Sequence, residues 1–315
     1  CSSDLVLKEQ YGDERRTRIE GAVDLLTEAD LIPDEEVVVT LTRKGYIKRV
    51  DLDVYGVQHR GGKGKMGMTS LADSDDVVQD IFVAKNHDEL LFFTNLGRVY
   101  SMNVFEIPEG SRTAKGRAIV NLLPLTEGET VVRLMCTRDL SDESIVMVTR
   151  GGTIKKTKAA AFAKIRATGI RAIGLNDDDK LVYCGVSGGD DTIVIATANG
   201  QGIRFHEKEV RQMGRQAAGV RGIKLREGDH VVAAGIVDAD GELLFATARG
   251  YGKRVKTDDF RIAHRGGVGV RTIPANTRNG QVIGLAFIHP DSQILLIDNA
   301  GKDRKSTRLN SSHLI

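Results

Sequence analysis

Ile193-Val194-Ile195-Ala196-Thr197, followed by Gly200 and then by Gly219-Val220-Arg221, is the stretch whose reading decides the fold. It is not unique in the chain. Val37-Val38-Val39-Thr40-Leu41-Thr42 precedes Gly45, and Leu90-Leu91-Phe92-Phe93-Thr94 precedes Gly97. Ile145-Val146-Met147-Val148-Thr149 precedes Gly152, and Leu243-Leu244-Phe245-Ala246-Thr247 precedes Gly250. A sixth copy begins at Ile294-Leu295-Leu296-Ile297 with Gly301. A second glycine keeps step downstream, at Gly64, Gly116, Gly169, Gly219 and Gly269. Two glycines held in phase at a period of about 50 residues mark a propeller-like or other repeat architecture.

Each copy reads as β structure. The runs are short, rich in β-branched and aromatic residues, and bounded by Gly, Asn and Asp. The first glycine sits where a tight turn joins two strands, so second strands are expected at Tyr46 to Val50 and Arg98 to Met102. The downstream glycine opens a third strand, as in Gly219 to Leu225, and an apolar segment such as Val231 to Val237 supplies a fourth. Four-stranded sheets placed radially form a disc that hides sheet edges. The expected fold is all-β and six-bladed, with the last blade cut short.

The chain has 315 residues, long enough for a large core, here divided among blades. Its 35 glycines suit many turns. The three cysteines (Cys1, Cys136, Cys184) lack metal-ligand spacing, which favours a reducing compartment. No apolar run reaches the roughly 18 residues of a membrane helix, and no signal peptide is visible. His87, His206, His230 and His289 are scattered, without metal spacing. The recurrent threonines read as β-formers before turns, not as nucleophiles.

Net charge is only +2, but its distribution is uneven. Acidic residues gather between repeats, at Asp73 to Asp80, Asp139 to Glu143, Asp177 to Asp179 and Asp238 to Glu242. Basic residues follow the turn and flank the downstream glycine: Lys48, Arg49 and Lys65, then Arg98, Arg112, Lys115 and Arg117, then Lys155, Lys156, Arg166 and Arg171. The series continues with Arg204, Arg211, Arg215 and Arg221, then Lys253, Arg254, Arg265 and Arg271. Equivalent positions in a disc fall at equivalent places on its rim, which predicts a positive band suited to a phosphate backbone.

The densest cluster is Gln58-His59-Arg60-Gly61-Gly62-Lys63-Gly64, with a near copy at His264-Arg265-Gly266-Gly267-Val268-Gly269. Glycines let the backbone approach a ligand closely, and Arg60 and Lys63 add charge. The bland reading, a loop that only reverses the chain, accounts for the glycines but not for Arg60, Lys63 and Lys65 together. A P-loop reading fails, because Gly64 follows Lys63 where that motif needs Ser or Thr.

These residues resemble the C-terminal domain of the DNA gyrase A protein, and the resemblance covers nearly the whole chain. That family carries the box Gln-Arg-Arg-Gly-Gly-Lys-Gly in the first of six repeats. Gln58, Arg60, Gly61, Gly62, Lys63 and Gly64 match it, and His59 departs. The resemblance implies a β-pinwheel of six four-stranded blades, with strands exchanged between neighbours. It implies that double-stranded DNA wraps around the basic rim, so that gyrase, using ATP, introduces negative supercoils. It implies the gyrase B protein and the N-terminal part of the gyrase A protein as partners in an A2B2 heterotetramer, with the isolated domain monomeric and no membrane partner. The place would be the bacterial cytoplasm, at the nucleoid. The breakage tyrosine would lie elsewhere, so this piece would be no enzyme alone and would need no cofactor; ATP and Mg2+ would bind other domains or subunits. On this reading residues 1–18 end a helix of the breakage-reunion domain, 19–36 form an acidic linker, 37–302 the pinwheel, and 303–315 a non-native tail. Two alternatives stand beside it: the C-terminal domain of the topoisomerase IV counterpart of the gyrase A protein, whose box is typically degraded, and a non-DNA propeller serving as a protein-interaction platform.

Overall fold

The computed structural model describes residues 9–12, 31–55, 76–140, 142–237 and 241–288, and the backbone of 294–297 and 303–306. The chain divides into two compact units, Cys1–Pro33 and Asp34–Ile315. In the first, residues 9–11 are helical. The division falls inside the stretch expected to be an acidic linker.

Among its described residues the second unit is all β apart from short 3-10 turns. The first repeat supplies β1 (Glu36–Thr42), β2 (Tyr46–Asp51) and β3 (Val78–Lys85). The second supplies β4 (Glu89–Thr94), β5 (Arg98–Asn103), β6 (Arg117–Ala118) and β7 (Val131–Cys136). The third supplies β8 (Ser144–Thr149), β9 (Thr153–Lys158), β10 (Ile170–Arg171) and β11 (Leu181–Ser187). The fourth supplies β12 (Thr192–Thr197), β13 (Gln201–His206), β14 (Val220–Arg221) and β15 (Val231–Val237). The fifth supplies β16 (Glu242–Thr247), β17 (Gly252–Lys256), β18 (Val270–Arg271) and β19 (Val282–Ile288). A last pair, β20 (Ile294–Ile297) and β21 (Asp303–Ser306), follows.

Sheet membership does not follow repeat membership. The sheets run β3-β1-β2-β6, β7-β4-β5-β10, β11-β8-β9-β14 and β15-β12-β13-β18, then β19-β16-β17 and β20-β21. The short strand behind Gly116, Gly169, Gly219 and Gly269 therefore leaves its own repeat and completes the preceding sheet. Arg117 pairs with Ile47, Arg171 with Arg98, Arg221 with Thr153 and Arg271 with Gln201. The opposite edges, β3, β7, β11, β15 and β19, pack against one another in series. They form the inside of a β-propeller, and the exchanged strands form its outer edge. Among the described residues five blades are present, four of them four-stranded, with a two-stranded ladder for the sixth repeat.

The expected third strand from Gly219 to Leu225 shrinks to Val220–Arg221, because the chain turns inward once it has met its neighbour. Asp303–Ser306 forms a strand antiparallel to β20.

The core explains why the first strand of each repeat is a continuous apolar run. The second, third and fourth sheets are each covered on both faces by neighbouring sheets, so alternation is lost there. In β4, Leu90 and Phe92 pack with Val37, Val39 and Leu41 of the first blade. Leu91 and Phe93 face the other way, onto Ile145, Met147 and Phe162. Phe93 and Phe162 meet edge to face, with ring centroids 5.5 Å apart. Burial of each such phenyl ring contributes about 1.5–3 kcal/mol.

The recurrent threonine has a structural task. Its carbonyl accepts the N–H of the turn glycine, as in Gly97 to Thr94 at 3.0 Å. Its hydroxyl accepts the N–H of the residue four further on, from Tyr46 to Thr42, Arg98 to Thr94, Thr153 to Thr149, Gln201 to Thr197 and Tyr251 to Thr247.

Candidate nucleic-acid interface

The exchanged strands place four arginines at one repeat-equivalent position. Arg117, Arg171, Arg221 and Arg271 each follow a downstream glycine by one or two residues, lie on an outer-edge strand and are exposed. None has a carboxylate partner among the described residues. Their placement rests on the glycines. Gly116 has φ +87°, and a Cβ there would lie 2.5 Å from the Ile47 carbonyl oxygen. Only glycine lets the incoming chain press this closely on the neighbouring blade.

The other cations expected on the rim divide sharply. Lys48 is 2% exposed, and its ammonium donates to the carbonyls of Arg112, Ala114 and Ser111 at 2.6, 2.9 and 3.2 Å. Burial pushes its pKa down. Lys155 is fully buried and donates to the carbonyls of Ala172 and Arg215. Lys156 donates to the Glu207 carbonyl and lies 3.6 Å from its carboxylate, itself fully buried. Arg204 is 4% exposed and donates to the carbonyls of Thr257 and Phe260; burial lowers its pKa. These four lie inside the blades and not on the rim. A strand position that looks basic in sequence here holds the loop arriving from the next repeat, by filling its carbonyl oxygens with donors.

The remaining residues are intermediate. Arg49 donates to the Ile107 carbonyl and lies 3.9 Å from Glu109, while Arg254 pairs with Glu242 at 2.8 Å. Arg98 donates to the Thr168 carbonyl. Lys115 sits over the Tyr46 ring at 3.9 Å. Lys253 is exposed and donates to the Thr272 carbonyl. Arg265 donates to the carbonyls of Glu209 and Arg221, and His264 lies 3.2 Å from the Glu209 carboxylate. The near copy of the box is thus a joint between the fourth and fifth repeats. The box itself, Gln58 to Gly64, and Lys65 lie outside the described residues.

Several acids, some inside the acidic clusters between repeats (Asp76, Asp179) and some outside them (Asp229, Glu129), act locally. Asp229 accepts from the Thr197 hydroxyl at 2.7 Å and from the N–H groups of Asn199 and His230. Asp179 accepts from the N–H groups of Gly151 and Lys180, and Asp76 from that of Lys44. Glu129 receives hydrogen bonds from Thr94, Tyr100 and Thr126. These carboxylates hold the hairpin turns, a role that composition alone does not signal.

One groove departs from the simple pattern. A cleft of about 540 Å³ between the loops of the third and fourth repeats is lined by Lys164, Ile165, Arg166, Ile170, Arg171, Arg215 and Gln216. Lys164 was not among the residues expected at the interface. The signal for it is the spacing of cations at 164, 166 and 171 around Gly169. Among the described residues no group of His, Cys, Asp and Glu could hold a metal ion, and no helix is long and apolar enough to cross a membrane.

Comparison with known proteins agrees with this architecture. The sequence profile of the family described as "DNA gyrase C-terminal domain, beta-propeller" matches residues 36–85, 88–138, 143–187, 191–238 and 241–288, which are the first five repeats. The DNA gyrase A protein of Clostridium acetobutylicum is 46% identical over 212 residues, covering 67% of this chain and 25% of that protein. The gyrase A protein of Halalkalibacterium halodurans is 42% identical over 214 residues, covering 68% and 26%. The chain thus spans about a quarter of the length of these relatives. Among solved structures, the C-terminal domain of a DNA topoisomerase IV aligns with TM-score 0.73 and 26% identity over 88% of this chain and 84% of that one. A DNA gyrase A C-terminal domain aligns with TM-score 0.66 and 27% identity, over 86% and 89%. With five successive repeats matched by its profile, the chain belongs to the DNA gyrase C-terminal domain family.

Proposed function

We propose that this chain binds double-stranded DNA along its outer edge and bends it around the propeller, as the wrapping element of a DNA gyrase that introduces negative supercoils using ATP. The observation that carries the reading is the repetition of Arg117, Arg171, Arg221 and Arg271 on successive outer-edge strands, exposed and without carboxylate partners among the described residues. Smooth bending by 40–90° over 20–30 base pairs costs of order 1–6 kcal/mol. One non-specific patch, with Kd of about 10⁻⁴–10⁻⁶ M, contributes too little to hold a longer wrap. A cation on each of four successive blades spreads phosphate contacts along the bend.

In this proposal six blades complete the ring, and the box from Gln58 to Gly64, with Lys65, is the last clamp. The partners are the gyrase B protein and the N-terminal part of the gyrase A protein in an A2B2 assembly, in the cytoplasm at the nucleoid. Strand breakage and ATP hydrolysis, with Mg2+, reside in those partners. The test is topological. Relaxed closed-circular DNA is mixed with the chain, relaxed again with a type I topoisomerase, and its linking number read. A positive shift, lost when residues 58–64 are replaced by alanine and glycine, is the expected result. Tight binding with no shift would sink the wrapping reading, and no binding at all would leave the protein-platform alternative.

A second reading, the wrapping domain of a topoisomerase IV, is favoured by the TM-score of 0.73 to that enzyme's C-terminal domain. The identities of 46% and 42% to gyrase A proteins weigh the other way. Supercoiling of relaxed DNA by the chain joined to its N-terminal part and mixed with the gyrase B protein separates the two.

A further inference from the structure

The cleft between the third and fourth repeats has two walls. One is the turn from Lys164 to Arg171, closed by the Gly169 N–H donating to the Arg166 carbonyl at 2.7 Å. The other is the loop carrying Arg215 and Gln216, which belongs to the next repeat. The walls are joined at their base. The Gly174 N–H donates to the Ala217 carbonyl at 3.1 Å. The approach is close, since a Cβ on Gly174 would lie 2.7 Å from the Gln216 carbonyl oxygen. Beneath both, the buried Lys155 ammonium donates to one carbonyl from each wall, Ala172 at 2.7 Å and Arg215 at 2.5 Å.

The lining is unusual in charge. It holds four cations, Lys164, Arg166, Arg171 and Arg215, two apolar side chains and no acid. None of the four cations has a carboxylate partner among the described residues. Some exposed cations elsewhere do, as in Lys208 with Asp190 at 2.6 Å and Arg138 with Asp88 at 3.2 Å; Arg117, Arg221 and Arg271 do not, and the cleft differs from them in gathering four such cations. The corresponding joint between the fourth and fifth repeats is different, because it carries an acid: the Glu209 carboxylate accepts from the backbone N–H of Arg265 and lies 3.2 Å from the His264 ring. Four like charges around an apolar-walled cleft repel one another until an anion enters. A positive site of that kind also fits Lys155, whose pKa falls to about 8, first through burial and then through the Arg215 charge.

We infer that this cleft is a discrete phosphodiester seat on the rim, with Lys164, Arg166, Arg171 and Arg215 as phosphate ligands and Lys155 as the positioning residue that fixes its two walls. The inference rests on the DNA-wrapping reading and deepens it. The rim is then uneven: the bend is held more firmly where the third and fourth repeats meet than where the fourth and fifth do. Lys155 acts through the backbone of Arg215 and touches no DNA.

The test uses the whole chain and a short straight duplex, with affinity followed as salt is raised. The log–log slope counts phosphate contacts at about 0.9 per contact. The triple variant Lys164→Ala/Arg166→Ala/Arg215→Ala is expected to lower the slope by about 3. A charge-matched control, Lys85→Ala/Arg138→Ala/Lys208→Ala, removes cations already paired with acids and is expected to change it by less than about 1. Equal slopes for the two variants would overturn the seat while leaving the wrapping reading intact. If the unaltered chain shows no salt-dependent duplex binding, both fall. The positioning role is read from a double-mutant cycle. Lys155→Met weakens duplex binding in the native background and has no further effect once Arg215→Ala is present. An equal effect in both backgrounds would show that Lys155 only stabilises the fold. If Lys155→Met does not fold, the triple variant alone decides the seat.

Discussion

A Cβ placed on Gly219 would lie 2.5 Å from the carbonyl oxygen of Ile154, a residue of the preceding repeat. Gly219 also has φ +109°, so a side chain there meets both backbone strain and a hard contact. Gly219→Ala is expected to cost about 2–4 kcal/mol. Gly228, with φ +71° and no atom within 4 Å of its would-be Cβ, carries the strain without the contact. Gly228→Ala should cost about 1–2 kcal/mol. Urea unfolding of the two variants checks the difference, and equal losses would refute the close-approach account.

At the fourth hairpin, Thr197 and Asp229 form one unit with the N–H groups of Asn199 and His230. Asp229→Ala leaves those donors without their carboxylate and should cost about 1–3 kcal/mol. Thr197→Val should cost about 1 kcal/mol and, combined with Asp229→Ala, fall short of the sum. Strict additivity in chemical denaturation would argue against a shared network.

Burial holds Lys155 near 8, against an ordinary 10.5. Between those values the unfolded chain retains a proton that the folded chain has released, so stability rises with pH through that window. Below it both states are charged and the full burial penalty is felt. Relative to Lys155→Met, the native chain should gain about 2–3 kcal/mol between pH 7.5 and 10. Parallel stability curves for the two proteins would exclude this behaviour.

Glu129 shows the opposite sign. Burial alone would raise its pKa, but hydrogen bonds from Thr126, Thr94 and Tyr100 outweigh it and hold the carboxyl below 4.5. Its contribution is therefore present above that value and lost as pH falls through the lower folded-state pKa. In acid titrations Glu129→Gln should be less stable than the native chain at neutral pH and should lose less on acidification. An unchanged acid transition would count against the network.

Arg117 and Lys48 separate presentation from support. Arg117→Ala removes an exposed guanidinium, so stability should move by less than about 0.5 kcal/mol, while the DNA salt slope falls by about 1. Lys48→Met leaves three carbonyls without their common donor and should cost about 1–3 kcal/mol. Thermal melts and salt titrations on the same preparations test both.

The period, the turn glycines and the strand pairs were legible in the sequence, because φ above zero and buried apolar runs leave residue-type signatures. Val231 to Val237 reads in sequence with the bounds that the structure shows. Strand exchange was not legible as a pattern of residues: Val220–Arg221 has the same local character whichever sheet it joins, and only the family resemblance implied it. The rim was half legible. Lys155 and Arg171 look alike as cations near a repeat glycine, yet one faces a cluster of carbonyls and the other solvent. That difference is set by the loop of the following repeat, tens of residues away. The carboxylate clamps were hidden for the same reason, since Asp229 reaches back 32 residues to Thr197.

The exchanged strands also set an order in time. Each of the first four blades receives its outer strand only when the following repeat has been made, so the chain growing through them carries one unfinished sheet and finishes it with its next act of synthesis. Shortening the chain by any whole repeat shifts the unfinished edge to a new blade without removing it. A sheet that borrows its last strand cannot be counted as an independent module, and a break in the series is felt first by the neighbour before it.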